Sequence, residues 1–189
     1  MSEISNTGFW QANNAHSHHV FCEKLANWFV EYLKDEKDVP TYDFGCGLGN
    51  YLQVLRNNGF TNITGFEGDP ARLKVFDNIV KQDLTVPFTV PAKGNCIFLE
   101  VAEHIPAQFE TAALNNIIAA CNNKLIMSWA IRGQAGFGHV NCLDNHEVIA
   151  KMESKGFTYL EADSMSARNI DLDQAPWFKN TILIFQKNK

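Results

Sequence analysis

The chain has 189 residues, a length typical of one domain that buries a hydrophobic core of its own. No apolar run approaches the roughly 18 residues needed to cross a membrane, and residues 1–19 lack an apolar signal region. The formal net charge of −5 disfavours tight binding to duplex nucleic acid, which depends on Lys and Arg contacts to phosphates. We therefore expect a single cytoplasmic domain over residues 1–189 that makes no membrane contact.

Predicted strands and helices alternate along most of the chain. Residues 1–38 are expected to form an arm and a first helix, because apolar residues from Phe21 to Leu33 recur at three- and four-residue spacing. The predicted core covers residues 39–189, and its strands are Thr41–Phe44, Asn62–Phe66, Ile79–Lys81, Asn95–Leu99, Lys124–Trp129, Phe157–Glu161 and Thr181–Gln186. The other predicted segments are helices at Leu48–Asn57, Pro70–Val75, Ala107–Cys121 and Asn145–Lys155, and a polar loop at Asp163–Pro176.

This order of elements predicts an α/β fold. Strands that alternate with helices form a mostly parallel sheet with helices on both faces. The last two predicted strands have no helix predicted between them, which indicates an antiparallel last strand. The expected architecture is a doubly wound, mostly parallel sheet of seven strands.

A glycine-rich segment follows the first predicted strand. The strand leads into Asp43, and glycines then alternate at Gly45, Gly47 and Gly49. Glycine allows a sharp turn and lets a ligand lie directly against the backbone. The segment resembles the first motif of class I S-adenosylmethionine (SAM) methyltransferases, Asp-x-Gly-x-Gly-x-Gly. This resemblance implies a Rossmann-like fold with a reversed last strand, and SAM as the cofactor.

A dinucleotide-binding turn is the alternative interpretation of the same segment. Such a turn would read Gly-x-Gly-x-x-Gly and would need a glycine at position 50, where the chain has Asn50. The lead-in through Asp43 also favours SAM. A NAD-dependent oxidoreductase of Rossmann fold is therefore the less favoured class.

Two further acids follow the second and third predicted strands. Glu67 lies about 20 residues beyond the glycine segment, where a carboxylate is expected to bind ribose hydroxyls. Asp83 and Leu84 resemble the adenine contact of the methyltransferase family, in which the carboxylate meets the exocyclic amine and the Leu packs on the ring. The predicted cofactor-binding residues are Asp43, Gly45, Gly47, Gly49, Glu67, Asp83 and Leu84.

A second group of chemically active residues follows the fourth predicted strand. Glu100, Glu103 and His104 have the spacing i, i+3 and i+4, which places them on one face of a helical turn. Carboxylate oxygens suit Mg²⁺ or Mn²⁺, and an imidazole favours a transition metal. A glycine-rich loop after the fifth strand brings His139 to the same edge of the sheet. The predicted metal ligands are Glu100, Glu103, His104 and His139, and the predicted catalytic residues are His139, His104 and Glu100.

The pattern Glu-x-x-Glu-His resembles two groups of methyltransferases. These are the O-methyltransferases of quinone biosynthesis and the small-RNA 3′-terminal 2′-O-methyltransferases. The RNA enzymes have a second adjacent His after His104, where this chain has Ile105. The resemblance implies methyl transfer from SAM to a hydroxyl, assisted by a divalent metal. The short acidic chain favours a small-molecule acceptor, and a nucleotide or RNA end is the alternative acceptor. A non-catalytic SAM-binding domain is the alternative function. The sequence leaves the oligomeric state open.

Each of these residues also has a structural interpretation. Glu103 could cap the helix that starts near Pro106, and His104 could be a core histidine bonded to a backbone carbonyl. Without a metal, His104 or His139 could act as a general base, since an imidazole titrates near neutrality.

Aromatic and histidine residues outside these motifs have two interpretations each. In the arm, Phe9 and Trp10 could fold over the cofactor as a lid. The arm histidines are interpreted either as solvated residues or as metal ligands, and these are His16, His18 and His19. Later aromatic residues are interpreted either as core residues or as the lining of an acceptor site, and these are Trp129, Trp177 and Phe178.

Overall fold

The computed structural model of the chain describes residues 4–11, 19–69 and 74–189. Its strands are β1 (Thr41–Phe44), β2 (Ile63–Glu67), β3 (Ile79–Lys81), β4 (Gly94–Phe98), β5 (Cys121–Ser128), β6 (Phe157–Tyr159) and β7 (Ile182–Lys187). Its α-helices are α1 (Glu23–Tyr32), α2 (Asn50–Asn57), α3 (Ala107–Ala120), α4 (Asn145–Ser154), α5 (Glu161–Arg168) and α6 (Phe178–Thr181). Short 3-10 helices cover Lys34–Glu36 and Ala102–His104.

All seven strands form one sheet in the order β3-β2-β1-β4-β5-β7-β6. Neighbouring strands from β3 to β5 pair in parallel, and β7 runs antiparallel to both β5 and β6. This confirms the predicted seven-stranded, mostly parallel sheet with a reversed last strand. The strand order changes direction between β1 and β4, and in open α/β sheets ligands bind in the crevice at such a point, outside the carboxyl ends of the strands.

Helices cover both faces of the sheet, as predicted. Side chains alternate between the two faces along each strand, so Ile97 of β4 and Ile126 of β5 lie in one core while Phe98 and Met127 lie in the other. The core with Phe98 is closed by α3 and α4, and the core with Ile97 is closed by α1, α2 and α5. Burying each such side chain contributes about 1.5–3 kcal/mol, which makes the sheet a rigid support for its loops.

The first helix belongs to this layered structure. Leu25 and Phe29 of α1 are buried in the same core as Leu52 and Leu55 of α2. The helix that the sequence grouped with the arm therefore packs on the sheet. No helix in the described ranges is both long and apolar enough to cross a membrane.

The segment Asp163–Pro176 differs from its prediction as a polar loop, because α5 occupies its first part. The buried face of α5 consists of two small residues, Ser164 and Ala167, and therefore gives no apolar periodicity. The Ser164 hydroxyl donates to the carbonyl of Leu160 at 2.8 Å and accepts from the amide of Ile184 in β7 at 2.9 Å. The small buried side chains let α5 lie close to the sheet, and this contact holds the helix in place without a large buried apolar area.

The helix predicted over Pro70–Val75 is not seen in the residues that can be described. Residues 70–73 lie outside the described ranges, and Lys74 and Val75 are not helical. Most of this prediction therefore falls outside the described residues.

We expect Ala167→Leu to destabilise the protein by about 1–3 kcal/mol, because the larger side chain would overpack a fully buried position between α5 and the sheet. Ala162→Leu, at an exposed position of the same helix, is the matched control and should change stability by less than about 0.5 kcal/mol. Urea unfolding of the two variants measures the difference. Equal stabilities would show that α5 does not pack tightly on β7.

Candidate active site

A cavity of about 300 Å³ lies at the carboxyl edge of the sheet. Eight of the predicted site residues line it, namely Asp43, Gly45, Glu67, Asp83, Leu84, Glu100, His104 and His139. The predicted residues Gly47, Gly49 and Glu103 are not among the lining residues. The structure therefore brings the predicted cofactor and chemical residues together around one space.

The glycine segment between β1 and α2 has the conformation that only glycine adopts easily. Gly45, Gly47 and Gly49 have φ values of 76°, 55° and 81°. A Cβ atom on Gly45 would also lie 2.4 Å from Cγ2 of Val101, so a larger residue would displace the segment after β4. The loop thus passes close to the part of the cavity that Glu100 and His104 line, which we call its chemical half.

Glu67 holds this loop to the end of β2. Its carboxylate accepts a hydrogen bond from the amide of Gly47 at 2.9 Å and another from the amide of Gly68 at 2.8 Å. Burial raises the pKa of Glu67, and these amide hydrogen bonds oppose the rise. Sequence reasoning assigned Glu67 to a ribose and missed this second role, for which a single sequence carries no signal.

Asp43 is a buried acid with an unsatisfied oxygen. Its side chain is 3% exposed, and Oδ2 has no hydrogen-bond partner. Burial, with a smaller contribution from the charge of Glu67, raises the pKa of Asp43 to about 8. A cationic or hydrogen-donating group of a ligand would compensate this acid, and the amino group of SAM is such a group.

The third cofactor acid, Asp83, already has partners. Its Oδ1 accepts from the amide and hydroxyl of Thr85 at 2.9 and 2.7 Å, and its Oδ2 accepts from the hydroxyl of Thr7 at 2.8 Å. Leu84 is buried beside it and also lines the cavity. The contact with Thr7 ties the N-terminal arm to the position predicted for adenine.

The arm over residues 4–11 forms a wall of the cavity. A Cβ on Gly8 would lie 2.2 Å from the carbonyl oxygen of His104, so the arm backbone touches the 3-10 helix. Phe9 packs on Gly68 of the cofactor half, and the Trp10 ring lies 5.1 Å from the His104 ring in an edge-to-face arrangement. The prediction that these two aromatic residues cover the site is thus consistent with their positions.

The arm histidines are only partly described. His19 lines the cavity, and its ring lies against Gly47. His16 and His18 lie outside the described residues. The interpretation of these two as metal ligands stays a prediction.

Glu103, His104 and His139 converge in the chemical half of the site. Each offers one ligand atom, and these atoms lie within 4.8 Å of one another. Glu103 is 0% exposed, and neither of its carboxylate oxygens has a hydrogen-bond partner. Burial first, and then the charge of Glu100, raises the pKa of Glu103 well above its ordinary value. A buried acid without partners beside two imidazoles fits a divalent cation.

Backbone carbonyls orient both imidazoles. Nδ1 of His104 lies 3.2 Å from the carbonyl oxygen of Gly138, and Nδ1 of His139 lies 3.2 Å from that of Gln134. Because a carbonyl only accepts, each Nδ1 must donate; in a neutral imidazole with this tautomer, Nε2 keeps its lone pair. Nε2 of His139 lies 3.8 Å from Oε1 of Glu103. Second partners of this kind fix the tautomer of metal-binding histidines.

The pKa of His104 is lowered to about 4, because burial and the neighbouring His139 both disfavour its charged form. His104 is therefore neutral at physiological pH. Its Nε2 is thus available as a ligand or as a base.

Glu100 does not share a helical face with Glu103 and His104, which corrects the sequence interpretation. It has φ 51° and precedes the 3-10 helix, which begins at Ala102. Its backbone amide donates to the Ser128 hydroxyl at 2.8 Å, and its Oε2 accepts from Gln134 at 2.9 Å. Glu100 therefore lies beside the Glu103 group with its carboxylate already hydrogen-bonded. Glu100 itself is not in the set whose ligand atoms converge.

The later aromatic residues divide between core and cavity. Trp129 is fully buried, and its indole N–H donates to the carbonyl of Asn141 at 2.6 Å. Trp177 and Phe178, at the start of α6, line the cavity. Of the three, Trp177 is partly buried and best fits the acceptor interpretation, since Phe178 is 3% exposed and belongs to the core as well.

Comparison with known proteins identifies the fold. No protein-family model matches the sequence, and no curated protein matches it at a significant level. Magnesium protoporphyrin IX methyltransferase (ChlM) from Synechocystis PCC 6803 with bound SAH matches with a TM-score of 0.64 and 16% identity, over 94% of this chain and 85% of that chain. The methyltransferase domain of the bacterial protein CtHen1-C matches with a TM-score of 0.63 and 16% identity, over 88% of this chain and 98% of that chain.

A third match has another activity in its name. The [4+2]-cyclase SpnF has a TM-score of 0.62 and 15% identity, over 98% of this chain and 86% of that chain. The chain thus has the fold of class I SAM-dependent methyltransferases, as its sequence predicted. Because a cyclase shares this fold, the reaction must be argued from the site.

We expect Asp43→Asn to stabilise the protein increasingly as the pH rises. In the unfolded chain, Asp43 has a pKa near 3.8 and loses its proton around that pH. In the folded chain, Asp43 keeps its proton up to about pH 8. The folded state therefore binds more protons in this range, so the stability that Asp43 contributes is present at low pH and is lost as the pH rises through about 8. The variant lacks this loss and should gain about 1–3 kcal/mol at high pH.

Thermal melts of both proteins at about pH 5 and about pH 8.5 measure this effect, with roughly 2–4 °C in Tm for each kcal/mol in a domain of this size. Asp77→Asn changes an exposed aspartate outside the cavity and serves as the control. A Tm difference that is the same at both pH values would contradict a raised pKa of Asp43.

Proposed function

We propose that this chain is a SAM-dependent methyltransferase that methylates a hydroxyl group with the help of a divalent metal. One observation carries the proposal. A cavity at the carboxyl edge of a methyltransferase fold joins a cofactor cradle to a buried cluster of one acid and two imidazoles.

The cofactor half fits SAM better than NAD. The unpartnered oxygen of Asp43 has the chemistry to accept a hydrogen bond from the amino group of SAM, for which NAD has no counterpart at the same turn. The antiparallel β7 also departs from the strand order of dinucleotide-binding folds, in which six parallel strands follow 3-2-1-4-5-6. SAM supplies an electrophilic methyl group on a sulfonium when it is bound.

The residues that would hold a metal are Glu103, His104 and His139. Two imidazoles and one carboxylate favour Mn²⁺ or a similar transition metal over Mg²⁺, which prefers an all-oxygen shell. A bound divalent cation lowers the pKa of a coordinated hydroxyl and fixes its orientation.

The chain's own residues would orient the acceptor and take up its proton. His104 is neutral with a free Nε2, so it can accept a hydrogen bond or a proton from the acceptor hydroxyl if it is not bound to a metal. The carboxylate of Glu100 faces the same space and is held by Gln134, so it can accept a hydrogen bond from the acceptor without moving. Walls from the arm and from Trp177 would limit water at the reacting atoms.

Two other functions share the fold. A non-catalytic SAM-binding domain would need the cradle but not the unpartnered Glu103, which is costly to bury without a function. A cyclase transfers no methyl group, so it would not need an acid and two imidazoles to activate a methyl acceptor. Both alternatives predict SAH binding with no methyl transfer to any acceptor.

The first test is calorimetric titration of the protein with SAH and with NAD, followed by transfer of a radiolabelled methyl group from SAM to a panel of hydroxyl compounds. We expect SAH to bind with micromolar affinity and NAD not to bind. We expect Mn²⁺ to raise the Tm of the protein and to be required for transfer. Binding of NAD alone would refute the cofactor assignment.

Glu103→Gln tests the metal. We expect this variant to lose the Tm increase with Mn²⁺ and to lower methyl transfer at least about 100-fold, because one charged ligand is removed. Glu153→Gln makes the same change at an exposed position of α4 and should leave both measurements unchanged. A Glu103→Gln variant that keeps both full activity and the response to Mn²⁺ would overturn the metal assignment.

A further inference from the structure

The described lining of the cavity is acidic and contains no lysine or arginine. Four carboxyl groups face it, from Asp43, Glu67, Asp83 and Glu100. An anionic acceptor would therefore meet carboxyl groups in the described lining and no lysine or arginine to pair with. Phosphate groups in proteins are usually held by Arg, Lys or backbone amides at a helix N-terminus. The amide of Gly47, in the loop before α2, already donates to Glu67.

Aromatic rings form another part of the lining. The Trp10 ring lies 5.1 Å from the His104 ring, 5.2 Å from the His19 ring and 6.4 Å from the Phe137 ring. Phe137 lines the cavity and, at 45% exposed, is the one aromatic ring among the exposed large apolar side chains of the described residues. Trp10 and Phe137 therefore offer apolar area in the lining, next to the imidazole that would receive the acceptor hydroxyl.

These two observations define an acceptor by its chemistry. A flat ring has the apolar face that Trp10 can pack against, and an uncharged molecule avoids repulsion by the acids. Building on the proposed function, we propose that the methyl acceptor is an uncharged aromatic alcohol held against Trp10, and that the acidic wall excludes phosphate-bearing acceptors such as a nucleotide or an RNA end.

Matched acceptors test the charge requirement. Radiolabelled methyl transfer from SAM, with Mn²⁺ present, is measured for phenol, catechol and 2-naphthol, for 3,4-dihydroxybenzoate and for a short RNA with a free 3′ end. Catechol and 3,4-dihydroxybenzoate carry the same diol and differ by one negative charge. We expect kcat/KM for catechol to exceed that for 3,4-dihydroxybenzoate by about tenfold or more, and no transfer to RNA.

The remaining outcomes separate failure of this inference from failure of the proposed function. Equal or better use of 3,4-dihydroxybenzoate, or methylation of the RNA, would overturn the inference and leave a methyltransferase with an anionic acceptor. Binding of SAH without transfer to any ring compound would overturn the aromatic acceptor. Failure to bind SAH would instead overturn the proposed function.

Trp10 variants test the aromatic wall. We expect Trp10→Leu to raise KM for the aromatic acceptor roughly 2–12-fold, with little change in kcat or in the Kd for SAH, and Trp10→Phe to restore most of the loss. Trp28→Leu is the matched control, because Trp28 stacks on Tyr32 at 4.5 Å and does not line the cavity. A KM that is unchanged in Trp10→Leu, or raised equally in Trp28→Leu, would refute a contact between Trp10 and the acceptor.

Discussion

Burial of carboxyl groups without cationic partners is the constraint on which the site depends. Asp43 and Glu103 are almost fully buried and each has an unsatisfied oxygen, while Glu67 and Glu100 lie close by. Each burial is unfavourable for the free protein, and the direction of the pKa shifts expresses this cost. A sheet with two well-packed cores can tolerate such a cost. The arrangement is stabilised when positive charge enters, which is what a sulfonium cofactor and a divalent metal would bring.

The loops around the cavity depend on one another through the same acids. Glu67 holds the glycine loop through the amide of Gly47, and Asp83 holds the arm through the hydroxyl of Thr7. The arm in turn packs on the carbonyl of His104, whose ring is oriented by Gly138. The cofactor half and the chemical half of the cavity are therefore joined by direct contacts.

The fold and the proposed reaction are supported by different observations. Matches at 15–16% identity establish the architecture, and a cyclase among them shows that the architecture hosts more than one reaction. The proposal of a reactive centre, rather than of a binding cradle alone, depends on Glu103 and its two neighbouring imidazoles. Their tautomers are set by loop carbonyls rather than by the helix that carries Glu103, so the chemistry depends on the conformation of the glycine-rich loop over residues 131–141.

The sequence by itself determined the alternation of strands and helices, because this follows from local periodicity. It also predicted the reversed last strand, although α5 and α6 lie between β6 and β7, where it predicted no helix. The cofactor acids stay a prediction from their positions at the ends of the strands. The sequence also indicated Glu103, His104 and His139 as a group. Only the tertiary structure showed that Glu100 precedes the 3-10 helix and shares no helical face with that group, that Glu67 binds the glycine loop, and that α5 packs through Ser164 and Ala167. These features arise from contacts between residues distant in sequence, or from small side chains with no apolar pattern, and so leave no local signal to read.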